Sequence, residues 1–185
     1  VSKPNIEMLL HSAKGFAETA LLEARKVTEE IDSTAIWSIA PKAIVNMNFS
    51  AELFLKFIWF HYEIEGYSRI HFLDALYEKI PDKIKLEIES EFSKRRNQKL
   101  GLTSVKLCFE NDPKNMNDDK DIDNLSIEEL LKLHSNSFVE WRYHFEKPQG
   151  CCIEYNFRLM FIFIQSIISV FNSKGILNEP KVKAP

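Results

Sequence analysis

Residues 53–60 read Leu-Phe-Leu-Lys-Phe-Ile-Trp-Phe, and Lys56 is the one polar side chain among them. A helix that is apolar almost all round cannot rest one side on water, so it belongs in the middle of a bundle. Residues 152–172 repeat the pattern. There Glu154, Arg158, Gln165, Ser169 and Asn172 form one narrow polar stripe, while Phe, Ile, Leu and Met fill the other sides. Such a helix lies in the bundle centre or completes its burial in a dimer. The chain's 185 residues include only 5 Gly but 14 Phe, too few glycines for a turn-rich sandwich or a glycine-dependent phosphate loop. The expectation is an all-α fold, an antiparallel helical bundle of about six helices.

Leu9, Ala13, Phe16, Ala17, Ala20, Ala24, Val27 and Ile31 recur at steps of three and four and predict an amphipathic first helix, started near Pro4. A second helix is expected from near Pro41 to about Glu65, and a short one over 71–80, stopped by Pro81. Pro81 opens another, with Ile84, Ile88 and Phe92 on its inner face and Lys94-Arg95-Arg96 at its C-terminus, where cations suit the helix dipole. Residues 100–124 keep no period and read as a long loop. Ser126-Ile127-Glu128-Glu129 is a capping box that opens a helix with Ile127, Leu130, Leu131, His134, Phe138, Trp141 and Phe145 on one face. The last helix is expected over 152–172. One domain over residues 1–175 and a disordered tail over 176–185 complete the expected organisation.

The formal net charge of −3 is unevenly spread: residues 110–129 hold eight acids against two lysines, which leaves the remainder at +3. A mildly basic body suits an anion, and the acidic loop offers a docking element for a protein partner. Cys108, Cys151 and Cys152 show no zinc-ligand spacing, adjacent cysteines rarely bridge each other, and no signal-peptide pattern is visible. A reduced, cytoplasmic protein is therefore expected. The apolar run over 159–171 is too short and too interrupted to span a membrane. Asp119, Asp121 and Asp123 imitate the start of a calcium loop, but Asn124 and Leu130 stand where glycine and a chelating glutamate are needed. No metal or cofactor is expected.

Two polar constellations remain. Glu52 and Lys56, one turn apart in a helix otherwise apolar, read as an ion pair or as the lining of a cleft. Trp141-Arg142-Tyr143-His144 sets a five-donor guanidinium and an imidazole among aromatics, a set suited to phosphate and proton transfer.

At these residues the chain resembles the HEPN (higher eukaryote and prokaryote nucleotide-binding) family. Ser50-Ala51-Glu52-Leu53-Phe54-Leu55-Lys56 is similar to its A-E-L-x-L-K helix. His71-Phe72-Leu73-Asp74-Ala75-Leu76-Tyr77 with Lys79-Ile80-Pro81 is similar to its H-D-L-x-x-L-F…L-P segment. Residues 138–146 are similar to the F-x-x-W-R-Y-x-x-E helix of bacterial branches. The resemblance covers roughly residues 45–146. It implies an antiparallel bundle, commonly a homodimer, that binds RNA, nucleotide or a partner protein in a toxin–antitoxin, abortive-infection or stress setting. Glu52, Lys56, His71 and Tyr143 would then frame the binding site.

Catalytic members of that family carry Arg, four to six residues, then His. None of the six arginines here has a His at that distance, and Arg142 and His144 would point about 200° apart on a helix. Two further readings therefore stand beside binding. One is a metal-independent endoribonuclease using Arg142 with His144 or His71, the arginine stabilising the phosphorane and the histidine moving the proton. The other is a non-catalytic protein-interaction module.

Overall fold

Asn5 caps the first helix, its side-chain oxygen accepting the amide of Met8 at 3.0 Å. The computed structural model describes the backbone of residues 5–30, 32–65, 70–108, 122–146 and 152–177. Helix α1 (Ile6–Glu29) buries Ala13, Ala17, Ala20, Ala24 and Val27 in one stripe. Side chains this small let the next helix approach closely, and Ser50 Oγ of that helix donates to the Ala13 carbonyl at 2.8 Å.

Helix α2 (Ser33–His61) starts eight residues earlier than the sequence suggests and carries Pro41 inside it. A proline costs the helix one amide bond and crowds the preceding turn. Two things offset that cost. Asp32 accepts the amide of Thr34 at 2.8 Å, and Ile36, Trp37 and Ile39 pack against the core, so the first turns hold ahead of the proline. Farther along, Phe54, Leu55, Phe57, Ile58 and Trp59 are all buried, as an all-apolar stretch requires.

Trp59 Nε1 donates to the Leu76 carbonyl at 2.8 Å and ties short helix α3 (Leu73–Glu78) to α2. Pro81 then caps α4 (Asp82–Arg95), which lays Ile84, Ile88 and Phe92 inward. Strand β1 (Ser104–Cys108) pairs antiparallel with β2 (Cys152–Asn156), Val105 opposite Tyr155 and Lys106 opposite Glu154. Between the strands lie α5 (Ile127–His134), with its capping box intact, and the single turn α6 (Ser137–Glu140). Helix α7 (Phe157–Ser173) closes the fold against α2 and α4.

The all-α class is seen, with the two-stranded ladder as its exception. Four further boundaries differ from expectation. The segment 100–124 opens with β1, while 109–121, including most of the acidic run and Asp119 and Asp121, lies outside the described residues. The last helix starts at Phe157, because Ile153 and Tyr155 turn inward and Glu154 outward with the period of a strand. The helix after the capping box stops at His134. Ser135 and Asn136 form a turn there, and the Ser135 hydroxyl bonds the Asp74 carboxylate instead of continuing the helix. Finally, Leu177 is buried in the core, so the ordered body passes residue 175; residues 178–185 lie outside the described ones.

Helix α7 buries its apolar sides within one chain, including Phe157, Ile164, Ile167 and Phe171, so it calls for no dimer to cover it. No helix among the described residues is long and apolar enough to cross a membrane. Cys152 is disulfide-bonded, and the strand register sets Cys108 directly opposite it. The expectation of fully reduced cysteines therefore fails at Cys152.

Candidate functional site

Asn48, Glu52 and Lys56 recur every four residues and so share one face of α2. Glu52 is only 5% exposed, and its Oε1 accepts Lys56 Nζ at 2.7 Å. The same oxygen lies 2.9 Å from Nδ1 of His71, in the extended segment ahead of α3. A carboxylate offers only acceptors, so Nδ1 carries a proton and donates it to Glu52. The Lys56 side chain is 11% exposed and that of His71 69%. A buried carboxylate thus holds one buried cation and aims one surface imidazole. Three residues expected at the site from the sequence are here brought together.

Next to His71 in sequence, Asp74 accepts the Ala75 amide at 2.9 Å and the Ser135 hydroxyl, which joins the start of α3 to the α5–α6 turn. Past that turn Trp141 is fully buried, while Arg142 and Tyr143 face solvent. The Arg142 guanidinium lies 5.1 Å from the centre of the Phe138 ring and 5.4 Å from that of Tyr143. Among the described residues it joins no hydrogen bond or ion pair, neither with Glu52 nor with His71. Phe145, expected on an inner helix face, is instead 70% exposed, since the chain leaves the helix after Glu140 and turns through a short 3-10 segment at His144–Glu146. The side chain of His144 lies outside the described residues, so its pairing with Arg142 has no geometry to report.

Sequence reasoning missed a second polar network on the same α2 face. Asn48 Nδ2 donates to the His134 carbonyl at 2.7 Å, and the Tyr155 hydroxyl donates to Asn48 Oδ1 at 2.8 Å. The Asn156 amide donates to His134 Nε2 at 3.2 Å, and the Asn156 side chain caps α7 through the Leu159 amide at 2.8 Å. Burial pushes the His134 pKa down to about 3, so this histidine stays neutral, and burial also pushes the Tyr155 hydroxyl up. The network fixes the joint of α2, α5 and β2, and its members are structural. The four-residue recurrence of Asn48, Glu52 and Lys56 was a legible signal for it.

Two surface hollows lie elsewhere. One, of about 540 Å³, runs between α4 and α7 past Leu86, Ser90 and Ser169. The other, of about 390 Å³, lies among α3, α4 and α5 beside Asp74, Tyr77 and Lys132. Neither is lined by Glu52, Lys56, His71 or Arg142. Of the two readings of Glu52 and Lys56, the structure shows the ion pair, buried under an exposed histidine. Among the described residues no group of three His, Cys, Asp or Glu side chains is placed to hold a metal ion. Neither a family model, nor a curated protein, nor a solved structure matches the chain.

Proposed function

We propose that this is a HEPN-like helical protein that binds RNA or a nucleotide through the corner formed by α6 and the turn after it. One observation carries the reading: Arg142 is an exposed guanidinium with no carboxylate on it among the described residues, lying against the Phe138 and Tyr143 rings. Aromatic rings on the flat face steady the cation without using its N–H donors, and those donors fit phosphate oxygens. The reading includes the homodimer, the defence or stress setting and the cytoplasmic location suggested by the sequence. In a cytoplasm the Cys152 disulfide would be a transient product of oxidation. Retention of labelled RNA that Arg142→Ala abolishes supports the reading; equal retention by both proteins removes it. A strict monomer at micromolar concentration by light scattering removes the dimer.

The endoribonuclease reading has its own support in the Glu52–His71 pair. A buried carboxylate on Nδ1 leaves Nε2 turned outward, the arrangement a general base needs for taking a proton from a ribose hydroxyl. Incubation with total RNA in EDTA separates the two readings. Cleavage that His71→Gln stops favours the enzyme, and binding without cleavage favours the first reading. A protein that neither binds nor cleaves leaves the interaction module, whose docking loop is the acidic run over residues 110–123.

A further inference from the structure

We infer that Cys152 and Cys108 form a reversible disulfide clasp across one end of the β1–β2 ladder, opened and closed by exchange with small thiols and disulfides of the glutathione class. Cys152 is disulfide-bonded, and the chain holds two other cysteines, Cys108 and Cys151. Geometry separates these two as partners. A disulfide bridges Cα atoms about 4.4–6.8 Å apart. Directly opposed residues of an antiparallel pair stand about 4.5 or 5.5 Å apart, inside that window, and the register opposes Cys108 to Cys152. Neighbours in sequence, such as Cys151 and Cys152, are about 3.8 Å apart across a trans peptide, outside it.

Strand alternation makes the bond reachable. Val105, Ile153 and Tyr155 are buried, so the period of two sets Ser104, Lys106 and Cys108 of β1, with Cys152 and Glu154 of β2, on the outer face. Cys152 is exposed. On oxidation the Cys152 thiolate attacks a small disulfide, forming a mixed disulfide and releasing one small thiol. The Cys108 thiolate then attacks the Cys152 sulfur and expels the second. Two cysteine thiols become one disulfide, one small disulfide becomes two thiols, and the two protons end on the released thiols. The reverse sequence opens the bond.

What the clasp holds is β1. Strand β2 is anchored without it: the Tyr155 hydroxyl donates to Asn48 Oδ1 at 2.8 Å, the Asn156 amide to His134 Nε2 at 3.2 Å, and Asn156 Nδ2 to the Ile122 carbonyl at 2.9 Å. Strand β1 gives the core Val105, at 8% exposure, while Ser104 and Lys106 face solvent. A two-stranded ladder is marginal by itself. Cys108–Cys152 is its last pair, at the end opposite Ser104–Asn156. Closed, the clasp ties that end of β1 to a strand the core already holds. Open, it leaves the end to the ladder's own bonds.

The test equilibrates the full chain in glutathione buffers from fully reduced to fully oxidised, traps free thiols by alkylation and maps the cross-linked peptides. Hydrogen exchange read by mass spectrometry follows on both forms, for wild type, Cys151→Ser and Cys108→Ser. The expected result is a Cys108–Cys152 cross-link that wild type and Cys151→Ser gain and lose as the glutathione ratio changes. On reduction the β1 amides should exchange about tenfold faster while those of α7 keep their rates. Cys108→Ser should exchange like the reduced form in either buffer. A bond from Cys152 to Cys151, a cross-link that ignores the glutathione ratio, or β1 exchange that reduction leaves unchanged overturns the inference. Faster exchange in α7 as well as β1 also overturns it, since the bond would then staple the whole fold.

Discussion

Replacing Glu52 by leucine isolates the buried carboxylate's contribution. The substitution leaves Lys56, whose side chain is 11% exposed, without the oxygen that now lies 2.7 Å from its ammonium. Removing one partner of a buried ion pair costs about 3–5 kcal/mol, because the other charge stays desolvated and unpaired. The lost contact to His71 adds less than about 1 kcal/mol, since that imidazole is well solvated. For a chain of this length about 3–5 kcal/mol lowers the melting temperature by roughly 10 °C. Replacing both charges, Glu52→Leu with Lys56→Met, removes the orphan and should return the protein to within about 1 kcal/mol of wild type. His71→Ala should change stability by less than about 1 kcal/mol. Urea unfolding of these proteins, with Lys56→Met added to complete the cycle, gives the coupling energy directly. A Glu52→Leu variant within about 1 kcal/mol of wild type, or a double variant no more stable than the single one, refutes a buried pair at this position.

Further outcomes follow from the second network and from the cysteines. His134 titrates near 3 in the folded chain against 6.5 as its ordinary value, so folding is favoured above pH 6.5 and loses stability as pH falls from 6.5 toward 3. At pH 5 the loss from this residue is about 2 kcal/mol, and acid titrations of His134→Gln should run flatter over that range. Tyr155→Phe leaves Asn48 Oδ1 without the 2.8 Å donor it has now, and should cost about 1–2 kcal/mol in the same urea experiment. Non-reducing mass spectrometry of air-oxidised protein should show Cys152 in a disulfide, and three free thiols after oxidation would contradict the bond.

The buried helices were legible because burial on every side leaves a compositional trace. Residues 53–60 and the α7 segment declare themselves by the rarity of polar side chains, and α1 by its alanine stripe. The elements that escaped are those decided by distant partners. Five-residue strands carry too few positions for a period to stand out. β1 and β2 form because Val105 and Tyr155, fifty residues apart, face each other over the core. Pro41 misleads for the same reason. A local rule starts helices at proline, while tertiary packing of Trp37 and Ile39 carries α2 back through it to Ser33. The break after His134 is set by Asp74, sixty-one residues earlier, drawing on the Ser135 hydroxyl. Pairing Glu52 with Lys56 needed only helix spacing, whereas adding His71 needed the fold to return α3 to the same face.

The two parts of the candidate site follow opposite energetics, and that difference assigns their roles. Glu52 and Lys56 are desolvated whether or not anything binds, so their cost is met during folding and their geometry is rigid. What that rigidity secures is the position of His71, the one member of the cluster open to solvent. Arg142 and Tyr143 stand at the surface just past α6, the guanidinium against the Phe138 and Tyr143 rings, and the Tyr143 side chain is 42% exposed. Covering exposed rings gains free energy on binding that buried rings have already spent on folding. Affinity should therefore respond to changes at Arg142 and Tyr143 with little change in stability, and stability to changes at Glu52 and Lys56. Any catalytic rate should respond to His71 with little change in either. A substitution at Tyr143 that lowers the melting temperature as much as Glu52→Leu would contradict that division.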